Sequence, residues 1–288
     1  MEGTHMMGDP GSVQEGQYVD AGGVRTHFHV QGEGPRVVLI HGSGPGVSAW
    51  ANWGRILPRL AARFRVYALD VVGFGKTERP EGIRYHLETW VEHVKNFMDA
   101  VDAVPALVVG NSMGGAVALR LAATHAEYVR GLVLMGSVGV PFRITEGLDA
   151  VWGYRARGIE EMERILDIFS FNKALLTPEL AKLRYEASLE PESRSAYEQM
   201  FPEPRQRHVD AMVTPDDAVR KIDRPALVIH GREDRVIPVD NSYRLFHLLP
   251  NAELHVFGRC GHWTQIERRE EFCELVESFF ERVSRFED

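Results

Sequence analysis

Ala106-Leu107-Val108-Val109-Gly110-Asn111-Ser112-Met113-Gly114-Gly115-Ala116-Val117-Ala118-Leu119-Arg120-Leu121-Ala122 is the stretch on which the architecture turns. A short apolar run rich in β-branched side chains stops at a glycine-flanked serine and passes directly into helix-forming residues. That order spells a strand, a tight turn and a helix. Glycines 110 and 114 leave room for a turn in which larger side chains would collide, and such a turn lifts the Ser112 hydroxyl clear of the sheet at a helix N-terminus. A serine presented in this way is a candidate nucleophile; in a purely structural turn it would stand idle.

Moving outward, five more short apolar runs, at 36–40, 65–69, 131–135, 226–229 and 253–257, read as buried strands, most of them ending in Gly, His or Asp. Segments with helical spacing, such as 89–101 and 115–124, lie between several of them. Alternation of this kind predicts an α/β fold with a mostly parallel central sheet flanked by helices. The alternation fails over 138–212, where Glu, Arg, Leu and several prolines offer no strand, and it resumes after Asp223-Arg224-Pro225. The core is therefore expected in two pieces, 17–137 and 213–288, with 138–212 as an inserted helical cap over the catalytic end of the sheet. The first part, 1–16, has no basic or apolar leader pattern, and Gly3-Thr4-His5-Met6 reads as a cloning remnant, so this segment is expected to be flexible and takes no part in the fold.

With 288 residues, 44% of them hydrophobic, the chain is long enough for one full core plus the insertion. It carries 33 basic and 41 acidic residues, a net −8, and no basic run that could track a phosphate backbone, so nucleic acid is not an expected partner. No apolar stretch is long enough for a bilayer span, and Cys260 and Cys273 show no paired spacing. A soluble, cytoplasmic protein with reduced thiols is the expectation. Gly73-Phe74-Gly75-Lys76-Thr77 ends like a phosphate-binding loop, but Asp70 stands where that motif needs a glycine, and the histidines show no metal-ligand spacing. Neither a nucleotide, nor a metal, nor any other cofactor is expected.

A serine hydroxyl needs a base, and the base needs a carboxylate to fix its tautomer. Of the histidines after Ser112, His262 lies in a glycine-rich loop, Gly258-Arg259-Cys260-Gly261-His262-Trp263, just beyond the run 253–257. His230 ends a strand, His255 lies within one, and His208 and His247 fall in helical text, where packing or solvation is the default use. The acid is expected to be Asp234, in the loop after 226–229, with its neighbour Glu233 as rival, while Asp240 reads as a helix cap. The backbone N–H of Met113 supplies one oxyanion donor. The N–H of Ser43, in His41-Gly42-Ser43-Gly44-Pro45-Gly46 after strand 36–40, is the choice for the second.

Taken together, these motifs make the chain from about Gln17 onward resemble the meta-cleavage-product hydrolases, carbon–carbon bond hydrolases of the α/β-hydrolase fold. The resemblance rests on His41-Gly42-Ser43-Gly44-Pro45-Gly46 with Trp50 and Asn52, on Gly110-Asn111-Ser112-Met113-Gly114-Gly115, on Gly231-Arg232-Glu233-Asp234, and on the segment around His262. It implies a small-molecule substrate of the 2-hydroxy-6-oxo-hexa-2,4-dienoate type, cleaved by water to 2-hydroxypenta-2,4-dienoate and a carboxylic acid. It also implies self-association into a homo-oligomer. Within the family the text is similar to members acting on single-ring products, the 2-hydroxymuconic semialdehyde or alkyl-substituted type. The resemblance places Asn111, Arg184 and Trp263 around the substrate carboxylate and enol oxygen, with Asn52, Ser43, Gly42 and Gly44 nearby. Val138 and Ile237 are expected to narrow the pocket for the acyl group. A carboxylesterase with the same triad, or a non-catalytic small-molecule receptor on this fold, is the competing reading.

Overall fold

A computed structural model describes residues 15–285; the segment 1–16 set aside above lies outside them except for Glu15 and Gly16. In chain order the first half contains β1 (Gln17–Asp20), β2 (Arg25–Gln31), β3 (Arg36–Ile40), α1 (Ala49–Trp53), α2 (Leu57–Leu60), β4 (Arg65–Leu69), α3 (Leu87–Ala100), β5 (Ala106–Asn111), α4 (Met113–Thr124) and β6 (Val129–Met135). Then follow α5 (Glu146–Trp152), α6 (Ile159–Phe169), α7 (Pro178–Leu189), α8 (Pro191–Met200), α9 (Gln206–Ala211) and α10 (Asp216–Val219). The chain ends with β7 (Ala226–Gly231), α11 (Asp240–Leu248), β8 (Ala252–Phe257), α12 (Thr264–Glu267) and α13 (Arg269–Arg285).

The strands form one eight-stranded sheet in the order β1-β2-β4-β3-β5-β6-β7-β8. All pairings from β4 through to β8 are parallel, and the order steps outward in both directions from β3 because each return passes through a helix. The α/β expectation is met, and all six strands read from the sequence are present. Two strands were not foreseen. β1 and β2 pair antiparallel to each other, and β2 pairs antiparallel to β4. β2 (RTHFHVQ) hides from a hydropathy reading because Thr26, His27 and His29 are buried there as polar residues. His27 bonds Asp70, and the Thr26 hydroxyl lies 2.8 Å from His93 Nε2.

Asp70 also explains the stretch that ends like a phosphate loop. The backbone N–H of Lys76 donates to the Asp70 carboxylate at 2.9 Å and that of Ala49 at 2.6 Å, while the Thr77 hydroxyl donates to the Asp70 carbonyl. Amides that would cradle an anionic ligand elsewhere cradle this protein's own buried carboxylate.

Helices α5 to α9 occupy the connection between β6 and β7. The insertion is tied at its root, where the Thr214 N–H donates to the Gly139 carbonyl, and again where the Thr145 hydroxyl donates to the Val236 carbonyl at 2.7 Å. α6 shows why an acidic, Arg-rich segment can still seat on the core: Met162, Ile165, Leu166 and Phe169 form one apolar stripe and are all buried.

The turn after β5 is as tight as its glycines suggested. A Cβ on Gly114 would sit 2.3 Å from the Ile40 carbonyl oxygen and 2.5 Å from that of His41, both rigid backbone. We expect Gly114→Ala to lower stability by about 1–3 kcal/mol, read as a lower urea midpoint, because β3 and α4 must separate to admit one methyl group.

Candidate active site

Ser112 sits between β5 and α4 with φ 55° and ψ −116°, in the region that side chains rarely adopt. The strain persists because both ends of the residue are held: its N–H donates to the Met135 carbonyl at 2.9 Å, and its carbonyl accepts from Val138 N–H at 3.1 Å. The result is a hydroxyl at the start of a twelve-residue helix whose first N–H, that of Met113, follows directly.

The loop from β3 lies against this turn. A Cβ on Gly42 would be 3.1 Å from Ser112 Cβ and 3.2 Å from Asn111 Oδ1, so the absent side chain is what allows the two loops to meet. His41 fixes how the loop is turned. Its Nε2 accepts the Val71 N–H at 3.0 Å, so the proton is on Nδ1, which donates to the Gly42 carbonyl at 2.7 Å. That carbonyl and the Ser43 N–H are the two ends of one peptide plane, so anchoring the first aims the second. Burial pulls the His41 pKa down, which keeps the neutral tautomer this arrangement needs. The Ser43 hydroxyl accepts a hydrogen bond from Trp152 Nε1 at 2.9 Å, linking this loop to α5.

From the other side of the sheet, the loops after β7 and β8 bring Asp234 and His262 together. His262 Nδ1 donates to Asp234 Oδ2 at 2.6 Å, and both residues are buried. Asp234 Oδ1 accepts the N–H groups of Val236 (2.7 Å) and Ile237 (3.0 Å). Burial by itself would raise the Asp234 pKa, but the His262 ring and the hydrogen bonds from His230 and His262 more than offset it, leaving the carboxyl well below the usual range. The rival Glu233 points elsewhere: it accepts from Arg232 and from the Cys260 N–H. Phe169 of α6 stacks on the rings of both His262 (5.6 Å between centroids) and Trp263 (5.1 Å), and its carbonyl accepts the His262 N–H at 2.8 Å.

One pocket joins these parts. Gly42, Ser43, Gly44, Asn52, Asn111, Ser112, Arg184, His262 and Trp263, nine of the residues singled out from the sequence, line it together. Its apolar wall comes from α5 and α6 (Leu148, Val151, Met162, Ile165, Leu166 and Phe169) with Val236. Val138 and Ile237 are buried but do not line this pocket. Their backbone amides are occupied in holding Ser112 and Asp234, and the pocket wall they were expected to form is made by Val236 and the insertion. A larger groove of about 1070 Å³ lies alongside and shares Pro45 and Val47 with the pocket, but it reaches neither Ser112 nor His262 and so is not where the reacting groups converge.

Arg184 is the unusual member. It reaches down from α7, is only 7% exposed, and spends its guanidinium on two carbonyls, Gly46 at 3.1 Å and Ala51 at 3.3 Å, with the Trp263 ring 5.9 Å away. Among the described residues no carboxylate forms an ion pair with it, and burial pulls its pKa down to about 10. Beside it in the pocket, Asn52 Nδ2 is buried without a hydrogen-bond partner. An uncompensated cation next to an unsatisfied donor is a site prepared for an anion.

A family model described as alpha/beta hydrolase fold matches residues 35–269. The chain belongs to that family. Among curated proteins, the hydrolase is 50% identical over 268 residues to a 2-hydroxy-6-oxo-2,4-heptadienoate hydrolase of Pseudomonas putida, covering 93% of this chain and 97% of that one. It is likewise 50% identical to a 2-hydroxymuconate semialdehyde hydrolase of Pseudomonas sp. strain CF600, covering 93% and 94% of the two chains. Among solved structures, the meta-cleavage product hydrolase of Pseudomonas fluorescens IP01, in a serine-to-alanine form complexed with acetates, superposes with a TM-score of 0.92 at 50% identity, covering 93% and 98%. The resemblance drawn from the four motifs is thereby borne out.

Sequence reasoning missed Trp152, Phe169 and the apolar wall. Only the stripe at 162, 165, 166 and 169 carried a signal, the spacing of a buried helix face, and nothing in it said what the face would cover.

The depressed Asp234 pKa has a thermodynamic consequence. A carboxyl whose folded pKa lies below its unfolded value, about 3.9, contributes stability above that value and loses it as pH falls toward the folded pKa. We expect Asp234→Asn to be less stable than wild type at neutral pH but to lose less stability between about pH 5 and pH 2, measured by denaturant unfolding across that range.

Proposed function

We propose that this hydrolase cleaves a carbon–carbon bond in 2-hydroxy-6-oxo-hexa-2,4-dienoates formed by meta ring fission of monocyclic aromatics, with Ser112, His262 and Asp234 as nucleophile, base and orienting acid. The observation that carries the reading is Arg184. A buried guanidinium without a counter-ion among the described residues, in the same pocket as Ser112, suits a substrate with its own carboxylate, which a simple ester does not offer. The 50% identical relatives named for hydrolysis of such dienoates support the same chemistry. Residues 138–212 serve as the cap in this reading, and we infer a cytoplasmic homo-oligomer as its setting.

In the proposed course the substrate carboxylate pairs with Arg184, with the Asn52 amide as a further donor and Asn111 and Trp263 bounding the dienoate. The dienolate takes up a proton on carbon, which converts the C2 enol to a ketone and gives the electrons of the breaking bond somewhere to go. His262, its tautomer held by Asp234, moves that proton and later takes the one from Ser112. Ser112 Oγ adds to the C6 carbonyl, whose oxyanion is received by the N–H groups of Met113 and Ser43. The C5–C6 bond breaks to release 2-hydroxypenta-2,4-dienoate, and water then frees the carboxylic acid from the serine.

Following loss of the yellow dienolate colour tests this directly. Ser112→Ala should slow decay by at least about a thousandfold, and undiminished decay in that variant would falsify the nucleophile. Arg184→Gln should raise KM by about tenfold or more with a smaller change in kcat, because the carboxylate contact is present in ground and transition states alike. Rapid aryl-ester hydrolysis with no dienolate turnover would instead favour a carboxylesterase.

The acyl side of the pocket is closed by Leu148, Val151, Met162, Ile165, Leu166 and Phe169, long or branched side chains packed against the core. We expect the 6-methyl ring-fission product to be turned over at least about tenfold more efficiently than the 6-phenyl product, in comparison of kcat/KM. A phenyl preference overturns the single-ring assignment.

A further inference from the structure

His230 reads in the sequence as a core histidine that merely ends a strand. In the structure it is fully buried at the end of β7, and its Nε2 lies 3.3 Å from Asp234 Oδ2, the same oxygen that receives His262. The same Nε2 is 3.0 Å from the Ile237 carbonyl, and Nδ1 is 2.6 Å from the Ser242 hydroxyl of α11.

These contacts fix where a proton must be. A carbonyl and a carboxylate both face Nε2, and neither can donate, so Nε2 carries the hydrogen, bonding the Ile237 carbonyl with the Asp234 carboxylate 3.3 Å away. On the ring's other side the Ser242 hydroxyl meets Nδ1 and ties the histidine to α11. The ring thus joins two points of the acid loop, the Ile237 carbonyl and the Asp234 carboxylate. That loop is closed a second time by the Asp234 N–H donating to the Gly231 carbonyl. Asp234 Oδ1 thus accepts two amides, while Oδ2 accepts the His262 N–H and has the His230 Nε2 3.3 Å away.

We propose that His230 is a positioning residue for the triad, holding Asp234 Oδ2 in line with His262 and sharing its charge through the Nε2–H bond. The proposal rests on the triad reading above, and it assigns His230 no contact with substrate. Two consequences distinguish it from a residue that only fills the core. Losing the donor should weaken the turnover steps that need a correctly aimed His262 while leaving substrate binding alone. It should also change the His262–Asp234 hydrogen bond itself, because Oδ2 then serves one proton instead of two.

The test compares His230→Phe, which keeps a ring but no donor, with His230→Gln, whose side-chain amide can return an N–H near the Nε2 position. Val228→Ala, a buried change in the same strand that removes no hydrogen-bonding group, matches for lost stability. We expect His230→Phe to lower kcat on the order of tenfold or more with KM changed less than about twofold, and His230→Gln to recover most of the loss. The downfield proton resonance of His262 Nδ1 should shift in His230→Phe, return toward its original position in His230→Gln and stay in place in Val228→Ala. Unchanged kcat, or an unmoved resonance in His230→Phe, overturns the proposal; so does a glutamine variant that behaves like phenylalanine. If His230→Phe does not fold, the glutamine variant alone decides, since a donor-independent role predicts a resonance shift and loss of kcat there too. The resonance is read without substrate, so it stands even if the chain proves to hydrolyse esters, whereas failure of the dienoate reading would appear in Ser112→Ala and wild type while leaving the His230 comparison intact.

Discussion

The backbone at Ser112 is held in a conformation that a serine would not choose, and most of the site follows from what holds it there. Its N–H is anchored to β6 and its carbonyl to the start of the insertion, while Gly42 on one side and Gly114 on the other let neighbouring backbone approach to contact distance. An added methyl at Gly114 would push β3 and α4 apart, and one at Gly42 would press on the Ser112 and Asn111 side chains. Those elements also carry the Met113 and Ser43 amides proposed as oxyanion donors, so the strain and the close packing set where both amides stand.

Buried charge organises the remainder. Asp234, bonded to the pocket's His262, and Arg184, in the pocket's lining, are opposite cases. The carboxylate is saturated with donors from the protein and is stable as an anion, at the cost of fixing a whole loop around it. The guanidinium holds only carbonyl oxygens and keeps its charge without an anion beside it. The buried carboxylate is satisfied by the protein, whereas the buried guanidinium has no anion paired with it among the described residues. Asp70 repeats the first pattern away from the site, taking up the amides of a loop that resembles a phosphate cradle.

Much of the fold was legible because parallel strands buried on both faces read as apolar runs, and the interruption between β6 and β7 reads as their absence. β1 and β2 were not legible because β2 buries Thr and His, whose partners, Asp70 and His93, lie far along the chain. Ser112, Asp234 and His262 could be singled out because each follows a strand, in a fixed order, and Ser112 stands in a turn whose glycines have a steric purpose. The pocket wall could not, since Met162, Ile165, Leu166 and Phe169 look the same whether they face a core or a substrate. For the same reason the expectation for Val138 and Ile237 shifted to their backbone: sequence proximity to the reacting groups does not say which way a side chain points.

By itself the sequence determined that the chain forms a parallel α/β sheet with a helical insertion, and that Ser112, Asp234 and His262 stand at the ends of its strands. These are consequences of local pattern and chain order. It took the folded chain to show that Arg184 has carbonyls and, among the described residues, no paired carboxylate around it, that His41 aims the Ser43 amide, and that His230 stands against the same Asp234 oxygen as His262. Each of these depends on which groups from distant parts of the chain come within about 3 Å, where hydrogen bonds form and buried charges are or are not compensated.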